Sequence, residues 1–154
     1  MKYFMLLFGR FVFTMARPFW KWYFPRRPRT RAILTHKGKI LLVKGWLGDG
    51  SWSLPGGGLH KNETFMNGAI REINEELSLK LSENQLRLLG EIKVFKNNYY
   101  VKLVVFKCAL ERLPTINVRK TEIAEITWAN KADLNILPLT ISTRAILARW
   151  SKQR

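Results

Sequence analysis

Three glutamates, Glu72, Glu75 and Glu76, lie in a segment whose apolar positions Met66, Ala69, Ile70, Ile73 and Leu77 recur at helical spacing. On a helix they occupy positions i, i+3 and i+4, so their carboxylates share one face, roughly 120° around from the apolar stripe. Like charges at these spacings destabilise a helix by roughly 0.3 kcal/mol per pair. Near the C-terminal end the helix dipole disfavours anions as well. A hard divalent cation offsets that cost, and magnesium characteristically joins a few carboxylates to substrate phosphates. The expected cofactor is therefore Mg2+ or Mn2+, and the expected partner is a nucleotide or other phosphorylated substrate. An isolated Glu-x-x-Glu-Glu is ordinarily a solvated helix face, but the context here argues for chemistry. Trp52-Ser53-Leu54-Pro55 reads as a strand running into Gly56, Gly57 and Gly58, a loop whose backbone can approach an ion closely.

The segment from Gly57 to Leu79, GGLHKNETFMNGAIREINEELSL, resembles the Nudix box. Gly57, Glu63, Arg71, Glu72, Ile73, Glu75, Glu76 and Leu79 stand at the pattern's fixed places, and Ser78 departs by standing where the family has glycine. That glycine ends a helix, so the serine costs up to about 1 kcal/mol of C-cap stability and removes no catalytic group. The resemblance implies an α/β fold, an α/β/α sandwich with a mixed sheet. It implies that the Gly56 carbonyl, Glu72, Glu75 and Glu76 bind metal, and that Gly57, Glu63 and Arg71 support the box, the last two as a pair bracing its loop. The implied activity is a metal-dependent pyrophosphohydrolase acting on a nucleoside diphosphate-linked substrate. The base that activates water varies within the family, being either the first Glu of Arg-Glu, here Glu72, or a loop glutamate. Glu122 and Glu125 are the loop candidates, and the spacing to Trp128 in MutT-like members favours Glu122.

These groups must be positioned by the surrounding elements. Arg31–Thr35 and Ile40–Lys44 read as a hairpin around Gly38, and residues 62–77 as a helix capped by Thr64 or Asn62. Residues 86–95 and 99–110 read as a strand pair, Ile123–Ala129 as a further strand, and Pro138–Trp150 as a last helix. Lys44, Trp46 and Trp52 are candidates to contact phosphate and stack on a base, although aromatic residues near a glycine-rich loop more often pack. Tyr99, Tyr100 and Lys102 lie on a strand that could border the cleft. His36 and His60 read as solvated loop residues.

The chain has 154 residues, 47% of them hydrophobic, enough for one domain with a real core. Its net charge of +16 comes from 27 Lys plus Arg against 11 Asp plus Glu, with no acid before Asp49 or after Asp133. Such a field attracts nucleotides, RNA and anionic lipid alike. Two further readings follow: an RNA 5'-end pyrophosphohydrolase, or a catalytically idle Nudix-fold module that binds RNA or a membrane. Residues 1–28 form a basic, aromatic extension ahead of a domain over 29–154. Arg10 interrupts the apolar run, which argues against a spanning helix. Phe4, Leu7, Phe11, Trp20 and the cluster from Arg26 to Arg31 suit an anionic membrane surface instead. The single cysteine, Cys108, excludes an intramolecular disulfide and fits a reducing, cytoplasmic compartment, with the extension peripheral at the inner face of a membrane.

Overall fold

The computed structural model describes residues 28–96 and 99–150. The membrane-surface reading of residues 1–28 and the turn at Asn97-Asn98 thus lie almost wholly outside the described residues. Among the described residues no helix is long and apolar enough to cross a membrane.

In chain order the elements are β1 (Arg29–His36), β2 (Lys39–Gly45), α1 (Phe65–Leu77), a 3-10 turn (Glu83–Gln85), β3 (Arg87–Lys96), β4 (Tyr99–Ala109), β5 (Ile123–Ala129), α2 (Lys131–Ile136) and α3 (Ile141–Trp150). The strands form one mixed sheet in the order β3-β4-β1-β2-β5. β1 runs parallel to β4, while β1–β2, β2–β5 and β3–β4 are antiparallel. Apolar side chains leave both faces of the central strands, as a sheet covered on both sides requires. Leu34, Leu41, Val43, Val104 and Phe106 pack with Ala69, Ile73 and Leu77 of α1. Ile33, Leu42, Leu103 and Val105 pack with Ile146, Leu147 and Trp150 of α3. The result is the α/β/α sandwich the resemblance implied.

β1 and β2 pair at their turn, Thr35 with Ile40 and His36 with Lys39, and then diverge. The segment after the Leu47–Ser51 loop fills the gap. Ser53 exchanges backbone hydrogen bonds with Val43 at 2.8 and 2.9 Å, and the Pro55 and Gly57 carbonyls accept from Ala32 and Thr30 at 3.0 and 2.9 Å. Residues 52–55, expected as a strand, therefore form isolated bridges to Val43 and Leu139 that pin the glycine loop between two strands.

Two helix boundaries move from the expectation. α1 begins at Phe65 because Asn62 takes a left-handed φ of 63° and Thr64 accepts from the Asn67 N–H, a cap worth about 1 kcal/mol. The last helix begins at Ile141 because the Pro138 carbonyl is bonded to the Trp52 N–H at 2.7 Å. A separate short helix, α2, precedes it, started by a reciprocal Asn130–Asp133 capping box. Ser78 closes α1 with φ 55°, the left-handed conformation that a glycine would adopt without strain. Its hydroxyl donates to the Asn117 carbonyl at 2.8 Å, which offsets part of the cost.

Candidate active site

The glycine loop and α1 face each other, and the loop backbone is fitted to the glutamates. The Gly56 N–H donates to Glu76 Oε2 at 2.9 Å. A Cβ added at Gly57 would lie 2.4 Å from the Glu72 carboxyl carbon, so the missing side chain is what lets that carboxylate sit against the loop. Gly56 itself has φ 124°, and a Cβ there would meet the Thr30 carbonyl oxygen at 2.6 Å.

Arg71 ties the loop to the helix. Its Nε and Nη2 donate to the two oxygens of Glu63 at 2.8 and 3.1 Å, and Nη2 also reaches the Gly58 carbonyl at 2.8 Å. Glu63 accepts in addition from the His60 N–H at 2.8 Å, which closes the turn before the helix. The Arg71 bond holds the Glu63 carboxyl below its ordinary pKa, and the same bond raises Arg71. Arg71 Nη1 then touches Glu72 at 3.0 Å and Glu75 at 3.4 Å.

Burial governs the carboxyls of Glu76 and Glu72. It pushes Glu76 up to about 7, against the opposing pull of the Gly56 N–H and the Arg31 charge. It raises Glu72 as well, with Arg71 acting the other way. Among the described residues no three acids are drawn together at metal-holding spacing. Cations of the chain itself contact the carboxylates: Arg71 on Glu72 and Glu75, and Arg119 at 3.4 Å from Glu75. The donors that the resemblance implies, the Gly56 carbonyl, Glu72, Glu75 and Glu76, are nonetheless hard and all oxygen. Two of them, Glu72 and Glu76, are part-buried acids whose charge a cation would favour, so the residues present fit a magnesium-like ion.

Arg119 also links a second loop to this face. Its Nη1 is 3.2 Å from Glu122 as well as 3.4 Å from Glu75. The loop is strapped to the end of α1 by Asn117 N–H to Leu77 and Arg119 N–H to Glu76 carbonyl bonds of 3.2 and 3.0 Å. Glu122 is half exposed there and close enough that its charge raises Glu76. Glu125 lies elsewhere. It is in register with Lys44 and pairs with it at 3.3 Å, on the face of the sheet away from α1.

The three candidates for substrate contact are placed otherwise than as a free platform. Trp52 is 7% exposed within the α3-side core, and the Lys44 ammonium lies 4.3 Å from its ring centroid. Trp46 donates from its indole to the Lys120 carbonyl at 2.7 Å and from its backbone to the Glu122 carbonyl at 3.1 Å, so it braces the loop that carries Glu122. Lys93, Tyr100 and Lys102 line an open depression of about 480 Å³.

Arg31 was grouped above with the basic cluster that closes the N-terminal extension. The structure places it in β1, with its guanidinium donating to the Gly56 carbonyl and, at 2.9 Å, to that of Thr30. The available sequence signal was a charged residue opening an otherwise apolar strand.

The chain matches the NUDIX domain family over residues 25–150. It is 30% identical over 126 residues to a nucleoside triphosphatase, NudI, of an Enterobacter species, covering 73% of this chain and 87% of that protein. It is 36% identical over 105 residues to an mRNA-decapping enzyme subunit 2 of Arabidopsis thaliana, covering 67% of this chain and 28% of that much longer protein. The crystal structure of a MutT NUDIX hydrolase from Burkholderia pseudomallei superposes with a TM-score of 0.70 at 28% identity, covering 79% of this chain and 95% of that one. With the box residues gathered between the glycine loop and α1, and the family matched across most of the chain, the protein belongs to the Nudix hydrolase family.

Proposed function

We propose that the protein is a metal-dependent pyrophosphohydrolase that cleaves a phosphoanhydride bond in a nucleoside diphosphate-linked substrate. The observation carrying this reading is the partial burial of Glu72 and Glu76 against the Gly56–Gly57 backbone, an arrangement costly to a protein that does not bind a cation. The Gly56 carbonyl, Glu72, Glu75 and Glu76 would hold the ion. Magnesium or manganese, when bound, supplies Lewis acidity toward phosphate oxygens and makes water more acidic.

The chain's own residues do the rest. Arg71 and Glu63 keep the loop at a fixed distance from the helix, so the donors are placed before substrate arrives. Glu122 is the base in this reading, accepting the proton of the attacking water from a half-exposed position at the edge of the carboxylate face. Arg119 orients it through the 3.2 Å contact. General-base assistance is worth roughly a hundredfold or more. Glu122→Gln is therefore expected to lower kcat by about that factor with little change in KM, and Glu125→Gln, whose carboxylate serves Lys44 on the other face, by less than about threefold. Steady-state kinetics of the two variants decide it. The reverse ranking would move the base to Glu125, and two silent variants would return it to Glu72.

Substrate identity is tested by a phosphate-release screen over nucleoside triphosphates, nucleotide sugars, dinucleoside polyphosphates and 5'-triphosphorylated RNA, with and without chelator. The NudI relative supports a nucleoside triphosphate. A specific feature favours RNA as a second reading, alongside the decapping-subunit relative. Phe95 and Tyr100 are 55% and 67% exposed with ring centroids 5.1 Å apart, flanked by Lys93 and Lys102. Lys102 lies 5.3 Å over the ring of Phe65, the first residue of α1, so this aromatic and basic patch adjoins the glutamate helix. Stacked bases and backbone phosphates use that pairing of groups. Turnover of the RNA above every mononucleotide, lowered by Tyr100→Ala, selects the RNA reading. No turnover of any substrate leaves the idle binding module.

A further inference from the structure

The glutamate face contains a cation that belongs to the chain. Arg31 reaches it from β1, on the opposite side of the glycine loop from α1, and donates to the Gly56 carbonyl. That oxygen is one of the four donors assigned to the metal. The guanidinium feels the charges of both Glu76 and Glu72, and burial together with Arg29 pushes its pKa down. Its Nε is sealed from solvent without a hydrogen-bond partner. A guanidinium normally spends its five donors, and burying one unpaired is costly.

A divalent ion of magnesium's size binds a carbonyl oxygen at about 2.1 Å. A guanidinium nitrogen on the same oxygen would then lie within about 5 Å of the ion, two cations in a partly desolvated pocket. Both do not comfortably hold that oxygen. The Thr30 carbonyl, which Arg31 also contacts at 2.9 Å, gives the side chain an anchor that does not depend on Gly56.

We propose that Arg31 is a resident counter-cation of the site, a positioning residue that holds the Gly56 carbonyl in the metal-free protein and yields it when a divalent ion binds. Resting on the assignment of Gly56, Glu72, Glu75 and Glu76 as metal ligands, it has a directional consequence. Arg31 offsets the mutual repulsion of the donors in the metal-free protein, and it also weakens the affinity of the protein alone for metal. Tight binding then requires the extra ligands of a phosphorylated substrate, which ties metal capture to substrate capture.

The test is a Mn2+ titration of the full chain without nucleotide, read by electron paramagnetic resonance of the free ion. Arg31→Met and Arg31→Gln are expected to bind Mn2+ about tenfold tighter than the parent, because a nearby positive charge is gone. Arg31→Lys, which keeps the charge, is expected to stay near the parent value. A residue serving structure alone would weaken Mn2+ binding in all three. Parent-like or weaker binding in both neutral variants overturns the proposal. So does failure of both to fold, checked by circular dichroism, since the guanidinium would then be supporting the metal-free site rather than restraining it. Glu76→Gln in the parent separates the two levels. If it loses Mn2+ affinity while the Arg31 variants behave like the parent, the Arg31 role alone is wrong. If it binds Mn2+ as the parent does, the metal assignment is wrong and the Arg31 role falls with it.

Discussion

Glu76→Gln is expected to lose hydrolytic activity by about a hundredfold or more while melting no earlier than the parent. The two halves of that result have separate causes. Removing one anionic ligand costs several kcal/mol of the stabilisation that a cation gives a phosphoryl-transfer transition state, and about 3 kcal/mol is already a hundredfold. The fold loses nothing comparable. Glu76 is a part-buried acid raised to about 7, and its bond to the protein is the 2.9 Å acceptance from the Gly56 N–H. A glutamine oxygen accepts the same bond, and no charge at position 76 remains to be desolvated. Near neutral pH, the melting temperature should be unchanged or higher. Turnover at saturating Mg2+ and a thermal melt, taken on the same preparation, check both. Activity within threefold of the parent, or parent activity surviving excess chelator, would remove Glu76 from the chemistry.

The adjacent glycines are expected to fail in opposite ways. Gly57 lies outside the left-handed region, so the backbone accepts alanine there, and the three atoms nearest the added Cβ are those of the Glu72 carboxylate, at 2.4 to 2.5 Å. Glu72 must move, and Arg71 at 3.0 Å resists the movement. Gly57→Ala should therefore fold normally, shift its stability by less than about 1 kcal/mol, and lose activity by about a hundredfold, since about an ångström of misplacement at a reacting centre has that scale. Gly56→Ala meets two obstacles in the backbone. Its φ of 124° is unfavourable for any side chain, and its Cβ would stand 2.6 Å from the Thr30 carbonyl oxygen, which cannot rotate away. It should destabilise the protein by about 3 kcal/mol or more. Urea unfolding and turnover of the two variants separate them. A stable Gly56→Ala or an active Gly57→Ala would mean that the loop and helix are not fitted as the structure shows.

What could be read from the chain in one dimension is what a short window encodes. The period of Met66, Ala69, Ile70, Ile73 and Leu77 sets a helix and its buried face, and Glu72, Glu75 and Glu76 fall on one side of it because helical geometry leaves no other place. The left-handed residue at Ser78, the glycine turn at Gly38 and the Thr64 cap are equally local, decided by the φ each position must adopt. Tertiary structure decided whatever depends on which distant strand lies beside which. The parallel pairing of β1 with β4 joins residues more than 70 positions apart, and no local pattern specifies its register. That pairing, with the wedge of residues 53–57 between β1 and β2, brings Arg31 to the Gly56 carbonyl and makes a member of a basic cluster part of the site. The same holds for Arg119, which reaches both Glu75 and Glu122 because its loop is strapped to the end of α1. Glu122 and Glu125 are alike as residues and three positions apart. Alternation along β5 and its bulged pairing with β2 send Glu125 to Lys44 on the far face, while Glu122, ahead of the strand, stays beside the glutamate helix. Trp52 could equally have been a platform or a core residue, and burial against α3 was settled by its own bridge to Leu139 and the bridge of Ser53 to Val43. A side chain's type limits the chemistry it can do, but its neighbours, supplied by chain far away in sequence, determine whether it does it.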